Sequence, residues 1–259
     1  MSMNPHSSSE AVERNRSYHT LLAEDEAALI PMQLPKIARI CHLLAQYAQP
    51  GGRLADVGAF TGYAASRYAA ACRPLSVCCF DISEAALKRC RQRGFDTEQW
   101  NCEERAPGAD GTFTAIVAAD IIEHLVNTDD FISELRRMLV PGGLLIVSTP
   151  NLAYWLNRLR LLRGWVPWSY PGVSSTFRRS DAIDRNHLRI NTPYEWRGFF
   201  ERNGFHLLRR TGYSIFHQQT ATLWGRARAA CDAAADARAP DLAFGNIYAL
   251  RALPPASPA

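Results

Sequence analysis

The stretch Leu54-Ala55-Asp56-Val57-Gly58-Ala59-Phe60-Thr61-Gly62 puts an acid at the end of an apolar run, followed by a turn that holds two glycines. Gly58 and Gly62 let backbone approach a ligand with no Cβ in the way. A second apolar run ends in Phe80-Asp81, where a carboxylate can accept hydrogen bonds from both hydroxyls of a ribose. The pattern points to a nucleotide cofactor, but not to a dinucleotide. G-x-G-x-x-G brings glycine against a pyrophosphate, and Phe60 and Tyr63 break that spacing. An acid ahead of the first glycine also repels a pyrophosphate; Asp56 suits a cofactor that carries an ammonium group. Further along, Asp120-Ile121-Ile122-Glu123-His124 gathers two carboxylates and an imidazole, and His187 stands in Asp184-Arg185-Asn186-His187-Leu188-Arg189. His124 and His187 are the candidate proton acceptors, because imidazole titrates near neutral pH.

The elements that must position these residues follow from the apolar pattern. Residues 53–57, 75–80, 113–119 and 144–148 read as short apolar strands, and 62–71, 83–93 and 131–139 as helices. Such alternation means a parallel sheet covered on both faces, and right-handed crossovers make it doubly wound. Ligands then bind at the carboxyl ends of the strands. Ahead of the first strand, Ile37, Ile40, Cys41, Leu44 and Ala48 share one helical face, with Pro35 near the helix start. Thr128, Asp129 and Asp130 offer capping to the helix at 131–139. The last third predicts a helix at 193–202, a strand at 205–211, an Ala-rich helix at 222–237 and a strand at 244–250. Residues 1–34 read as a partly disordered N-terminal extension, 35–250 as one domain with an insertion at about 151–191, and 251–259 as a disordered tail.

Taken in order, these motifs resemble those of class I S-adenosylmethionine-dependent methyltransferases over about residues 35–212. Asp56 to Gly62 is similar to the family's first motif, Asp81 to its ribose acid, Asp120-Ile121-Ile122-Glu123-His124-Leu125 to its fourth-strand motif, and Leu139-Val140-Pro141-Gly142-Gly143-Leu144 to the turn before its fifth strand. The resemblance implies a Rossmann-like α/β fold: a doubly wound, mostly parallel seven-stranded sheet with helices on both faces and an antiparallel last strand. It implies S-adenosylmethionine as cofactor, held by Asp56, Gly58, Ala59, Gly62, Asp81, Ile82, Asn101, Cys102, Asp120 and Ile121. It also implies methyl transfer by in-line displacement to an O or N nucleophile of a small molecule. Three positions depart from the pattern. Phe60 replaces a common glycine, so a less tight turn is expected. Thr114 stands where an acid often follows the Phe. Asn101-Cys102 occupies the place where an Asp commonly meets the adenine amino group, a task open to the Asn101 side-chain oxygen.

Residues 186–200 (NHLRINTPYEWRGFF) resemble the ubiquinone-biosynthesis O-methyltransferase-like branch. That branch, and one that methylates the 2′-hydroxyl of small-RNA ends, use a divalent ion such as Mg to lower a hydroxyl pKa. The resemblance makes Asp120, Glu123, His124 and His187 candidate ligands. The preferred reading does without the metal: Asp120 contacts cofactor, and Glu123-His124 orders the loop.

The insertion carries seven arginines (158, 160, 163, 178, 179, 185 and 189) against Asp181 and Asp184, with three tryptophans. It reads as a lid over an aromatic or anionic substrate, as a membrane-surface patch for a lipid-linked acceptor, or as the packed helix face Leu152, Trp155, Leu156, Leu159 and Leu162. Helix packing combined with a lid is preferred. The chain has 259 residues, 47% hydrophobic and 21% charged, a globular composition. No apolar run approaches the roughly 20 residues of a membrane-spanning helix, and the polar N-terminus has no signal-peptide pattern, so a cytoplasmic protein is expected. Seven cysteines without a C-x-x-C pair read as reduced, packed thiols. A net charge of +4 gives no reason to expect nucleic acid as partner. The competing functions are RNA-end methylation and a non-catalytic, regulatory methyltransferase-like domain; Asp56 and Asp81, both present, argue against the latter.

Overall fold

The computed structural model describes residues 26–74, 76–108, 110–168, 187–215 and 222–254. The elements are α1 (Glu26–Tyr47), β1 (Arg53–Val57), α2 (Tyr63–Cys72), β2 (Ser76–Asp81), α3 (Glu84–Gln92), β3 (Asp96–Gln99), β4 (Phe113–Ala119), a 3₁₀ turn (Ile122–His124), α4 (Thr128–Met138), β5 (Leu139–Pro150), α5 (Trp155–Leu162), α6 (Pro193–Arg202), β6 (Phe205–Tyr213), α7 (Leu223–Arg238) and β7 (Gly245–Ala252). The seven strands form one sheet in the order β3-β2-β1-β4-β5-β7-β6. β1 to β5 pair in parallel, and β7 enters antiparallel between β5 and β6.

Each face of the sheet is covered by its own core. Phe80, Trp100, Phe113, Phe131, Trp196 and Phe200 pack on one side; Ile37, Ile40, Leu44, Tyr68, Tyr154 and Ile247 pack on the other. Because the central strands are buried on both faces, they read as unbroken apolar runs, not as alternating ones. The order reverses between β1 and β4, which places the crevice for a ligand at their carboxyl ends.

Several elements differ from the sequence expectation. α1 begins at Glu26, with Pro31 and Pro35 inside it, so the helix reaches into the expected extension. Its buried stripe of Ile37, Ile40, Leu43 and Leu44 anchors it to the sheet and outweighs the amide bonds that proline forfeits. β3 has no counterpart in the predicted strands, and β5 runs through Pro141-Gly142-Gly143, where a turn was expected. Asn127, not Thr128, caps α4, its side chain accepting from the Asp130 amide. α5 forms within the insertion, but Leu159 and Leu162 of its expected packed face are exposed, Leu162 at 84%. The Ala-rich helix α7 buries Arg228, Asp232 and Asp236. Asp232 accepts hydrogen bonds from the Tyr154 hydroxyl and the Trp155 indole, each at 2.8 Å, and from the Ser214 hydroxyl at 3.2 Å. Residues 169–186 of the insertion and 255–259 of the expected tail lie outside the described residues, and β7 runs into that tail as far as Ala252. No described helix is long and apolar enough to cross a membrane.

Candidate active site

The turn after β1 is folded over the end of β2. The amides of Gly58 and Ala59 both donate to the Phe80 carbonyl, at 2.8 and 3.0 Å. Gly58 has φ 70°, and a Cβ there would lie 2.1 Å from Cδ1 of Ile121, so glycine lets the Ile121 side chain pack against this turn. Gly62, with φ 76°, meets the backbone of Cys90 on α3, which a Cβ would approach to 3.3 Å. The expected relaxation at Phe60 does not occur: Phe60 holds φ 53°, the left-handed conformation of the glycine it replaces. A side chain with a Cβ is strained there. What holds it is its amide, which donates to Asp81 Oδ2 at 2.9 Å.

Asp81 is thereby fixed from two sides, its Oδ1 accepting from the Ser83 amide at 2.9 Å. Ser83 also caps α3 through its side chain, and Ile82 accepts from Gln99 through its carbonyl. The Trp100 amide donates to the Asp81 carbonyl at 3.1 Å, which brings Asn101 and Cys102 beside the same strand end. Asn101 uses its side chain locally: Oδ1 accepts from the Glu103 amide, and Nδ2 donates to Glu104. The oxygen expected to meet an adenine thus already closes a turn.

Asp56 is 3% exposed, and its Oδ2 has no hydrogen-bond partner. Burial first, and then the negative charge of Asp81, push its carboxyl up to about 8, while Lys36 opposes them. Asp120 follows β4 in the left-handed region, with φ 54°. Its Oδ1 accepts from the Ser148 hydroxyl at 2.5 Å and the Tyr213 hydroxyl at 3.0 Å, and its Oδ2 from the Lys36 ammonium at 2.5 Å. Burial alone would raise this carboxyl. The Lys36 charge, aided by both hydroxyls, holds it below the usual carboxylate range.

Beyond Asp120 the 3₁₀ turn carries Glu123 and His124. Glu123 is wholly buried, and neither of its oxygens reaches a donor on another residue. His187 Nε2 lies 4.0 Å from Glu123 Oε1, and the His124 and His187 ring centroids are 4.8 Å apart. Burial, and next the Asp120 charge, raise the Glu123 carboxyl; His187 opposes them. Backbone sets this arrangement: the amides of Leu188 and Arg189 donate to the Glu123 carbonyl at 2.8 and 3.1 Å. The Arg189 guanidinium donates to the carbonyls of Leu125 and Val126, so this arginine of the insertion clamps the loop. Of the four candidate metal ligands, Glu123, His124 and His187 bring their ligand atoms within 4.8 Å of one another. Asp120, the fourth candidate, accepts hydrogen bonds from Lys36, Ser148 and Tyr213 and stands outside that cluster.

Lys36, Ser148 and Tyr213 were not among the predicted site residues. Lys36 had a signal: it is one of two lysines, and it lies one helical turn before Ile40 on the buried stripe of α1. A lysine on an apolar face is rarely buried without a partner.

A Rossmann-like sheet with acids after β1, β2 and β4 defines a class of fold, and comparison with known proteins assigns the family. The methyltransferase domain family matches residues 32–210, and the chain belongs to it. A probable S-adenosylmethionine-dependent methyltransferase of Mycolicibacterium smegmatis is 34% identical over 101 residues, 39% of each chain. A ubiquinone/menaquinone biosynthesis C-methyltransferase, UbiE, of Burkholderia pseudomallei is 31% identical over 105 residues, 38% of this chain and 43% of the relative. The chain thus matches about two fifths of the length of these curated relatives. Among solved structures, a chain from the complex between the Haloferax volcanii Trm112 methyltransferase activator and its partner aligns with a TM-score of 0.64 at 14% identity, covering 92% of this chain and 98% of that one. The [4+2]-cyclase SpnF aligns at 0.55 and 18% identity, covering 90% and 96%. At such identities these two likenesses speak for the fold alone.

Proposed function

We propose that this protein transfers the methyl group of S-adenosylmethionine to a hydroxyl of a small acceptor, preferably a hydroxylated aromatic, with His187 receiving the hydroxyl proton. The observation that carries this reading is the Glu123–His187 pair, a buried carboxyl without a donor 4.0 Å from an imidazole, beside the cofactor acids. The residues present fit the cofactor. Asp56 offers an unpartnered buried oxygen to an ammonium group, and the amides of Phe60 and Ser83 hold Asp81 at the strand end where ribose hydroxyls would meet it. Bound S-adenosylmethionine supplies an electrophilic methyl group on a sulfonium.

The chain contributes orientation and proton handling. Asp56 and Asp81 fix the two ends of the cofactor. His187 accepts the acceptor's proton, and the positive charge it gains favours ionisation of the Glu123 carboxyl 4.0 Å away. A phenolate is nucleophilic at oxygen and at the ring carbons next to it, so one base serves either product. The quinone-pathway relatives named as C-methyltransferases favour analysing both. A second reading is supported by the clustering of Glu123, His124 and His187, whose donor set suits Mg, Mn or Zn. A divalent ion there would activate the hydroxyl in place of His187.

The test is release of S-adenosylhomocysteine from a panel of phenols and catechols, with the methylated atom located by NMR. His187→Asn should lower kcat by about 10²- to 10⁴-fold and leave S-adenosylhomocysteine affinity unchanged. Unaltered kcat in the variant would remove His187 from the chemistry. Turnover abolished by a chelator, with cofactor binding intact, would replace the proton-acceptor reading with the metal one.

A further inference from the structure

A buried ammonium is costly unless its hydrogens are matched. Lys36 is 6% exposed, and among the described residues its Nζ donates to Asp120 alone. That nitrogen carries three hydrogens, so two are left over. Ser148 and Tyr213 donate their hydroxyls to Asp120 Oδ1, so Asp120 takes from Lys36 a single hydrogen, at Oδ2. The fold brings Lys36 across from α1 to the ends of β4, β5 and β6. The network is open on the side of Asp120, whose side chain is 29% exposed against 7% for Lys36. Nearby, on the adjacent strand β1, Asp56 Oδ2 is a buried acceptor without a donor. The charge of Lys36 acts most on Asp120 and less on Asp56 and Glu123.

An acceptor without a donor at the end of β1 and ammonium hydrogens left over at the end of the paired strand β4 form the complement of an α-amino acid. Its ammonium needs a carboxylate, and its carboxylate needs a cation. Placed anywhere else along this edge, a ligand carboxylate would face Asp56, Asp81, Asp120 and Glu123 without relief. We propose that Lys36 binds the carboxylate of the cofactor's amino-acid end, opposite the ammonium held by Asp56. This assignment rests on the cofactor reading above and extends it to a residue of the N-terminal helix.

The experiment compares two ligands on wild type, Lys36→Met and Lys36→Arg by calorimetry. S-adenosylhomocysteine has the amino-acid end; 5′-methylthioadenosine shares the nucleoside and lacks it. Lys36→Met should weaken S-adenosylhomocysteine by about 10- to 100-fold, as for a lost charged hydrogen bond, and leave methylthioadenosine within about twofold. Retained methylthioadenosine binding also shows that the variant is folded. Lys36→Arg, which keeps the cation, should recover most of the lost affinity. Equal weakening of both ligands would reduce Lys36 to a support for Asp120 and overturn the assignment, as would unchanged S-adenosylhomocysteine binding. Should Lys36→Met fail to fold, loss of S-adenosylhomocysteine discrimination in Lys36→Arg would overturn it equally. Wild type that binds neither ligand would remove the cofactor reading itself, a result distinct from failure of Lys36 alone.

Discussion

Raising the pH from 6 to 8 should tighten cofactor binding and release a proton into solution, and Asp56 should be the source. Burial, followed by the charge of Asp81, pushes its carboxyl up to about 8. Only the ionised form attracts an ammonium group. At pH 7 about one tenth of such a carboxyl is ionised, so apparent affinity should be about tenfold below its limit there and about a hundredfold below it at pH 6. Linkage then requires release of about 0.9 proton per cofactor bound at pH 7. The ligand's own α-amino group, half deprotonated at about 7.7–8.0, opposes the rise as pH approaches 8, so affinity should pass through a maximum close to 8. Calorimetry of S-adenosylmethionine binding in buffers of different ionisation enthalpy measures the proton directly. Asp56→Asn should abolish the release and flatten the rise. A wild type with flat affinity from pH 6 to 8 and no proton released would refute the reasoning; release that persists in Asp56→Asn would move the proton to Glu123, whose carboxyl is also raised. The same shift has a stability consequence of fixed sign. An unfolded Asp titrates near about 3.9, so the raised folded-state carboxyl supports the fold below that pH and erodes it as pH climbs toward 8. Asp56→Asn should therefore bind more weakly yet melt higher than wild type at pH 8. A lower Tm would mean that Asp56 is better solvated than its burial implies.

Two further changes test the frame around the site. Phe60→Gly and Phe60→Ala both remove the ring, but only glycine is at ease with φ 53°, so the glycine variant should be more stable by about 1–2 kcal/mol in chemical denaturation. The reverse order would show that residue 60 is not left-handed. Asp232→Ala strands the buried hydroxyls of Tyr154 and Ser214 and the Trp155 indole. It should cost about 3–5 kcal/mol, as removal of one member of a buried ionic network does, and a loss below about 1 kcal/mol would mean that water replaces the carboxylate.

The elements legible in the sequence are those whose signal is local. Central strands buried on both faces print as apolar runs, and the glycine turn and strand-end acids sit within a few residues of them. β3 was missed because Asp96–Gln99 pairs with β2 alone and is mostly exposed, so its four residues need no apolar period. α1 was started too late because proline was given its local meaning, while the anchor that overrides it lies in the sheet. The alanines of α7 gave no sign of its buried charges, whose partners are distant in sequence: Tyr154, Trp155 and Ser214 for Asp232, and Arg39 of α1 for Asp236. The site divides in the same way. Asp56, Gly58 and Asp81 were readable in place. The union of His187 with Glu123 depends on backbone hydrogen bonds across more than sixty residues, and Lys36 reaches Asp120 across 84.

Parallel topology explains why the acids crowd. β2, β1 and β4 are neighbours and run in one direction, so the acids that end or follow them, Asp81, Asp56 and Asp120, must emerge at one edge. Glu123 follows within the same loop. Asp81 raises Asp56, and Asp120, itself held ionised by Lys36, raises Glu123. Without a ligand, the relief is protonation of Asp56 and Glu123, held in neutral form by burial. A ligand that brings an ammonium and a sulfonium exchanges those protons for fixed positive charge, whereas a pyrophosphate would add negative charge to an edge already overloaded with it. The electrostatic strain that weakens the fold near pH 8 is thus the same term that makes the site select a cationic cofactor over a dinucleotide.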